Sequence, residues 1–162
     1  MMRYGITLPQ FRHEAEPALD VARRAERAGL DGVFVFDHLW PLNRPDRPAL
    51  HSTTLLGALA AETERVTLAT LVARVGLVPN AVLVHTMLTL NLMAPGRFVA
   101  GLGTGDAANR AENEAYGIPF APAAERLAQV CECARQLRAE GVRTWIGGLS
   151  RATRQAAARC AD

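Results

Sequence analysis

Five short apolar runs, each followed by a segment with helical spacing, constrain this chain more than any other feature. The runs are Arg3 to Leu8, Asp31 to Phe36, Val66 to Val72, Arg97 to Leu102 and Arg143 to Ile146. Runs that stay apolar on successive residues are typical of strands covered on both faces. The segments between them predict helices over Glu14 to Ala28, stopped by Gly29, and over Leu55 to Glu62, capped by Ser52 or Thr53. Further helices are predicted from Ala81 to Met93, capped by Asn80 and ended by Pro95-Gly96, and from Ala123 to Ala139. Ser150 caps a last helix running to Arg159, and Gly103 to Pro122 reads as a long polar loop. Repeated β-then-α order implies a parallel sheet with right-handed crossovers. Two architectures satisfy it, an open doubly wound sheet and part of a (β/α)8 barrel. A whole barrel takes about 250 residues, and the chain has 162. Length therefore favours the open sheet.

Composition narrows the function classes. With 49% hydrophobic and 21% charged residues the chain can build a core and is not disordered. The net charge is +2, and all 18 basic residues are Arg. They are scattered and stand beside acids, as in Arg23, Arg24, Glu26 and Arg27, which fits solvated helix faces rather than a nucleic-acid footprint. Cys131, Cys133 and Cys160 are odd in number and lack a metal-binding spacing, so free buried thiols of a cytoplasmic protein are expected, and no metal. The N-terminus lacks a secretory pattern. The interval between Arg74 and Arg97 is free of charge, but Pro79, Asn80, His85, Asn91, Pro95 and Gly96 interrupt it. It reads as a loop and a buried helix, not a membrane span. A single domain over 1–162 is expected.

In either architecture the functional loops follow the C-terminal ends of the strands. The polar and glycine-rich residues gather there: Asp37-His38-Leu39-Trp40, Gly101-Leu102-Gly103-Thr104-Gly105-Asp106 and Gly147-Gly148-Leu149-Ser150. Asp37-His38 is either a carboxylate–imidazole pair suited to proton transfer or an ordinary loop dipeptide. Gly103-Thr104-Gly105 lacks the Lys of a phosphate loop and equally suits a tight turn. Gly147 to Ser150 opens a helix, where backbone N–H groups meet phosphate readily, or forms a plain strand-to-helix turn. Trp40 offers a flat face for stacking or fills part of the core. Arg44 and Arg47 sit in the Pro-rich loop Pro41 to Leu50, either attracting an anion or simply solvated.

Taken in order, several segments resemble the bacterial luciferase-like family. They include Tyr4-Gly5-Ile6-Thr7-Leu8-Pro9, Ala25 to Val35, Asp37-His38-Leu39, Leu56 to Val66 and Gly96-Arg97-Phe98. Gly101 to Gly105, Glu114 to Phe120 and Trp145-Ile146-Gly147-Gly148 complete the series. The resemblance implies a TIM (β/α)8 barrel, here incomplete with about five β/α units and C-terminally truncated relative to the family. It implies a flavin- or deazaflavin-dependent oxidoreductase or monooxygenase, with coenzyme F-420 preferred over FMN and a small organic substrate. By the same resemblance Asp37, His38, Thr104, Asp106 and Asn109 surround the ring and substrate. His38 binds or protonates substrate, and Asp106 acts as proton donor or acceptor. Thr70-Leu71 matches a bulge behind the ring that in relatives carries a non-proline cis peptide. Gly147, Gly148 and Ser150 meet the phosphate. A barrel cut after five units has an unpaired edge and exposed apolar inner faces. The alternative reading is therefore a non-catalytic half-barrel that pairs with itself, and a homodimer is expected.

Overall fold

The computed structural model describes residues 2–162. Six parallel strands form one curved sheet: β1 (Gly5–Thr7), β2 (Gly32–Val35), β3 (Thr67–Thr70), β4 (Ala73–Arg74), β5 (Phe98–Gly103) and β6 (Thr144–Gly147). The sheet runs β1-β2-β3-β5, with β4 and β6 also paired to β5, so β1 and β6 are its edges. Around its outside lie α1 (Glu16–Arg27), α2 (Ser52–Glu62), α3 (Asn80–Met93), α5 (Ala123–Ala139) and α6 (Arg151–Cys160), with a short α4 (Arg110–Ala115) above the strand ends. Each of these outer helices contacts the next around the ring. The core lies between sheet and helices, where Val33, Val35, Leu68, Ala100 and Leu102 meet Leu56, Leu59, Met87 and Leu137, all at 1% exposure or less.

Three local expectations are corrected. The run Val66 to Val72 is not one strand. Between Ala69 and Ala73 the chain advances four residues while the paired stretch from Val99 to Leu102 advances three, so one extra residue forms a β-bulge that separates β3 from β4. The peptide bond Leu71–Val72 in that bulge is cis. The loop Gly103 to Pro122 contains a 3₁₀ turn, Ala107–Asn109, and α4. Neither Ser52 nor Asn80 caps its helix. Each is the first helical residue, after His51 and Pro79 respectively, and neither helix has a side-chain cap. Ser150 does cap α6, accepting the Thr153 N–H at 3.0 Å.

The other face of the sheet also differs from expectation. By register, Gly5, Gly32, Gly101, Gly103 and Gly147 share the inner face with Phe34 and Trp145. Those two rings meet at 6.1 Å between centroids and are only half-exposed. The inner wall thus combines bare backbone with the side chains of Thr7, Thr67, Ala69 and Val99, and no large hydrophobic of these strands is exposed on it.

All three cysteines are free and buried. Burial pushes the Cys131 and Cys133 thiols each up to about 11, Cys131 further by the neighbouring Cys160. A thiol-reactive dye is therefore expected to leave all three unlabelled in native protein at neutral pH, and to label them once denaturant unfolds it.

Candidate active site

The strand ends and following loops enclose a cavity of about 780 Å³. Its wall includes Asp37 and His38 after β2, Leu71 and Val72 at the bulge, Thr104, Asp106 and Asn109 after β5, and Gly147, Gly148 and Ser150 after β6. Of the residues that the resemblance assigned to cofactor or catalysis, Thr70 alone lies outside it, and Trp40, Arg44 and Arg47 do not line it either. Thr70 is fully buried, and its hydroxyl donates to the Gly101 carbonyl at 2.7 Å, tying the bulge to β5.

Bare backbone shapes the floor. The Val72 side chain occupies the space that Cβ atoms on Gly103 and Gly147 would need, the latter only 2.8 Å from Val72 Cγ1. Gly148 has φ +152°, and a Cβ there would sit 2.6 Å from Thr153 Cγ2. Beyond it the first turn of α6 directs backbone N–H groups outward at the rim, the usual geometry of a helix start.

Asp37 and His38 do not pair with each other. Asp37 is buried and fully engaged: one carboxylate oxygen accepts from the Ser52 hydroxyl at 2.7 Å and the other from the Arg74 N–H at 2.8 Å. Its carbonyl accepts from Arg74 Nε at 3.1 Å. The Asp37 side chain thus fixes the wall and is not a free proton carrier. His38 instead meets Glu112, with Nδ1 at 3.2 Å from Oε2. Glu112 is 1% exposed and also accepts the N–H groups of Leu39 and, at 3.3 Å, Trp40. The Arg74 guanidinium lies beneath, with Nη1 donating to Asn113 Oδ1 at 3.0 Å. Its Nη2 is 3.0 Å from Glu112 Oε2, close enough for ion pairing but at an angle that makes no hydrogen bond. Burial pushes the Glu112 carboxyl up, but His38, the Leu39 N–H and Arg74 together outweigh it and hold the group below its usual range.

Glu112, Arg74 and Asn113 were not among the residues singled out from sequence. A signal existed: Asn109, Glu112, Asn113 and Tyr116 stand at i, i+3, i+4 and i+7, one face of a helix. Tyr116 on that face meets Trp40, ring centroids 5.6 Å apart. Trp40 thus packs on Tyr116.

Asp106 is exposed at the rim. One carboxylate oxygen accepts the Ala108 N–H at 2.9 Å, and its own N–H donates to Asn109 Oδ1 at 2.8 Å, a reciprocal cap on the 3₁₀ turn. Thr104 offers its carbonyl to Arg126 Nε at 2.8 Å. The Arg126 guanidinium lies 3.9 Å from the Phe120 ring centroid. Burial and the like charge of Arg110 pull Arg126 below the usual arginine range, against Asp106. In the Pro-rich loop, Arg44 is spent on Asp46 through Nε and Nη2, both at 3.2 Å.

Comparison with known proteins places this geometry. The family described as luciferase-like monooxygenase matches residues 2–147. The chain is 35% identical over 159 residues to an F-420-dependent glucose-6-phosphate dehydrogenase of Beutenbergia cavernae, covering 96% of this chain and 46% of that protein. It is 38% identical over 120 residues to the enzyme of the same name from Kineococcus radiotolerans, covering 74% of this chain and 35% of the relative. The chain thus spans less than half the length of these curated relatives. Among solved structures, an F-420-dependent secondary alcohol dehydrogenase in complex with an F-420–acetone adduct superposes with a TM-score of 0.82 at 21% identity, over 99% of this chain and 57% of that one. That likeness identifies the curved sheet as an arc of the luciferase-like TIM barrel, not an open doubly wound sheet. With the family match covering most of its length, this chain belongs to the luciferase-like monooxygenase family.

Proposed function

We propose that this chain carries the ring-binding part of an oxidoreductase site that uses coenzyme F-420, with FMN as the alternative, on a small organic substrate. The observation that carries the reading is the cavity of about 780 Å³ at the strand ends, a size suited to a cofactor and a small substrate together. Its fit to a flat ring system rests on the bare glycine backbone and on Val72 beneath. The named relatives favour the deazaflavin. When bound, that group supplies hydride transfer. The protein's own residues do the rest. Gly147, Gly148 and Ser150 with the α6 start hold the phosphate. Thr104 and Asn109 border the ring. Thr70 fixes the bulge carrying Leu71, and Asp37 fixes Arg74. His38 and Asp106 meet substrate and exchange protons. The reading places the protein in the cytoplasm, which the three free thiols support.

Fluorescence titration with F-420 and with FMN tests this. Saturable F-420 binding that Gly148→Val weakens is expected. Tighter FMN binding overturns the cofactor choice, and binding of neither overturns the reading. For the proton-handling residues, His38→Ala and Asp106→Asn are each expected to slow turnover by about 10²–10⁴-fold. Asn retains the cap, so Asp106→Asn should keep its melting temperature. Single-turnover rates and melting on the same preparations check it. Unchanged rates remove both residues from the chemistry.

A second reading is a half-barrel that pairs with itself without catalysis. It is supported by β1 and β6, each bonded on one side only, and by Leu149 at the rim, 95% exposed. Light scattering is expected to give a dimer, and a monomer with a cooperative melt removes obligatory pairing.

A further inference from the structure

We infer that Glu112 is a positioning residue that fixes His38 as the Nδ1–H tautomer, so that neutral His38 offers Nε2 as an acceptor to a ligand bearing a hydroxyl or N–H group. The argument is a donor and acceptor count. The N–H groups of Leu39 and Trp40 can only donate, so Glu112 Oε1 accepts from both. The Arg74 guanidinium, 3.0 Å from Oε2, can only donate and carries a full positive charge. A proton on Oε2 would put a neutral carboxyl against that buried cation and strip it of its counter-charge. Oε2 therefore meets His38 Nδ1, at 3.2 Å, as an acceptor, and the proton of that contact sits on the ring. A neutral imidazole with hydrogen on Nδ1 has its lone pair on Nε2. Among the described residues no group hydrogen-bonds Nε2, and the ring borders the cavity. The surroundings hold the ring in this pose: its other face meets Phe11 edge-on at 6.3 Å, and the Leu39 and Trp40 N–H bonds to the same carboxylate fix the backbone that carries it.

The tautomer follows from geometry alone. Its consequence for the substrate rests on the oxidoreductase reading: the neutral ring accepts a hydrogen at Nε2 from a hydroxyl or N–H group, and the protonated ring returns one from the same atom.

The test is a long-range ¹H–¹⁵N spectrum of the full chain labelled at histidine, recorded above the imidazole titration, with His38 assigned by its loss in His38→Gln. The expected wild-type pattern is a pyrrole-type Nδ1 and a pyridine-type Nε2. In Glu112→Gln the amide can donate as well as accept, so the His38 pattern is expected to shift toward a mixture of tautomers. Asn113→Ala, which loosens Arg74 without touching His38, is expected to leave the pattern in place. A wild-type Nε2–H pattern overturns the inference. So does a His38 pattern unmoved in Glu112→Gln, or moved equally by Asn113→Ala. Should Glu112→Gln fail to fold, the wild-type pattern alone decides. Failure of F-420 and FMN to bind would remove the oxidoreductase reading and leave the tautomer standing.

Discussion

Gly101→Ala is expected to abolish folding of this chain. Gly101 sits on the inner face of β5, directly opposite the bulge between β3 and β4, and a Cβ there would overlap the Thr70 carbonyl oxygen. The obstacle is backbone, so no rotamer change relieves it. Either β5 or the bulge has to move, and both are held by the Thr70 hydroxyl on the Gly101 carbonyl and by the β3–β5 and β5–β6 ladders. Clashes of this kind lie beyond the about 4–5 kcal/mol that marks exceptional single substitutions. That approaches the whole stability of a domain, about 5–15 kcal/mol. The measurement is soluble yield and a thermal melt, with no cooperative transition expected. Gly57→Ala is the contrast. Gly57 lies within α2 and an added Cβ would come no nearer than 3.7 Å to Met93 Cε. There the exchange is expected to stabilise the helix by about 0.5–1 kcal/mol. A soluble, cooperatively melting Gly101→Ala would show that the sheet tolerates a shift there.

Glu112→Leu is expected to cost about 3–5 kcal/mol, the range for removing one partner of a buried ion pair. It would leave the Arg74 cation without its counter-charge and the Leu39 and Trp40 N–H groups without an acceptor. The loss should also appear as a change in pH dependence. The folded-state carboxyl of Glu112 titrates below the usual glutamate range. Its stabilisation is therefore complete above that range and is lost as pH falls through the lower folded value. Wild type is expected to melt at progressively lower temperature as pH is taken down through the carboxylate range, and Glu112→Leu to show a shallower decline. Part of the slope persists in the variant. Glu26, opposed by burial but holding the N–H groups of Arg65, Val66 and Glu64, also titrates low, as does Asp162 through the Thr144 N–H. Equal slopes in variant and wild type would mean that the Glu112 carboxyl titrates alike in the folded and unfolded chain.

The order of elements was readable because the strands are short, apolar and β-branched, and because Gly29, Pro95-Gly96 and Ser150 punctuate the helices. The break between β3 and β4 was legible only through the resemblance, which implied a bulge at Thr70-Leu71, and not from the run itself. Val66 to Val72 mixes Val and Thr with Leu and Ala along its whole length, and nothing in such a run marks where the pairing register slips by one residue. The residues around the cavity were readable as a cluster because they follow strand ends. Their partnerships were not. Adjacency suggested Asp37 with His38, but successive residues in extended chain diverge: Asp37 turns to Ser52 and Arg74, His38 to Glu112. Such pairings join positions as far apart as 74 residues and depend on how α4 lies over the sheet. Gln10 is a further case. A fully buried amide that bonds Phe36 at both its carbonyl and its N–H, and the Leu50 carbonyl besides, looks in sequence like any polar loop residue.

Val72 and the two glycines facing it share a single volume, which ties their evolutionary fates together. With Val72 in place, alanine at Gly103 or Gly147 collides with its methyl groups. A survey of single substitutions would therefore rate both glycines as intolerant. The collision at Gly147 comes from a side chain, however, and shrinking Val72 to alanine removes the atoms responsible. A Gly147→Ala exchange should then become permissible only after Val72→Ala, an order-dependent path between two sequences. Related chains that have drifted along that path would carry one methyl group on β6 in place of two at the bulge, and the relief of the cavity floor would be redrawn with one carbon fewer.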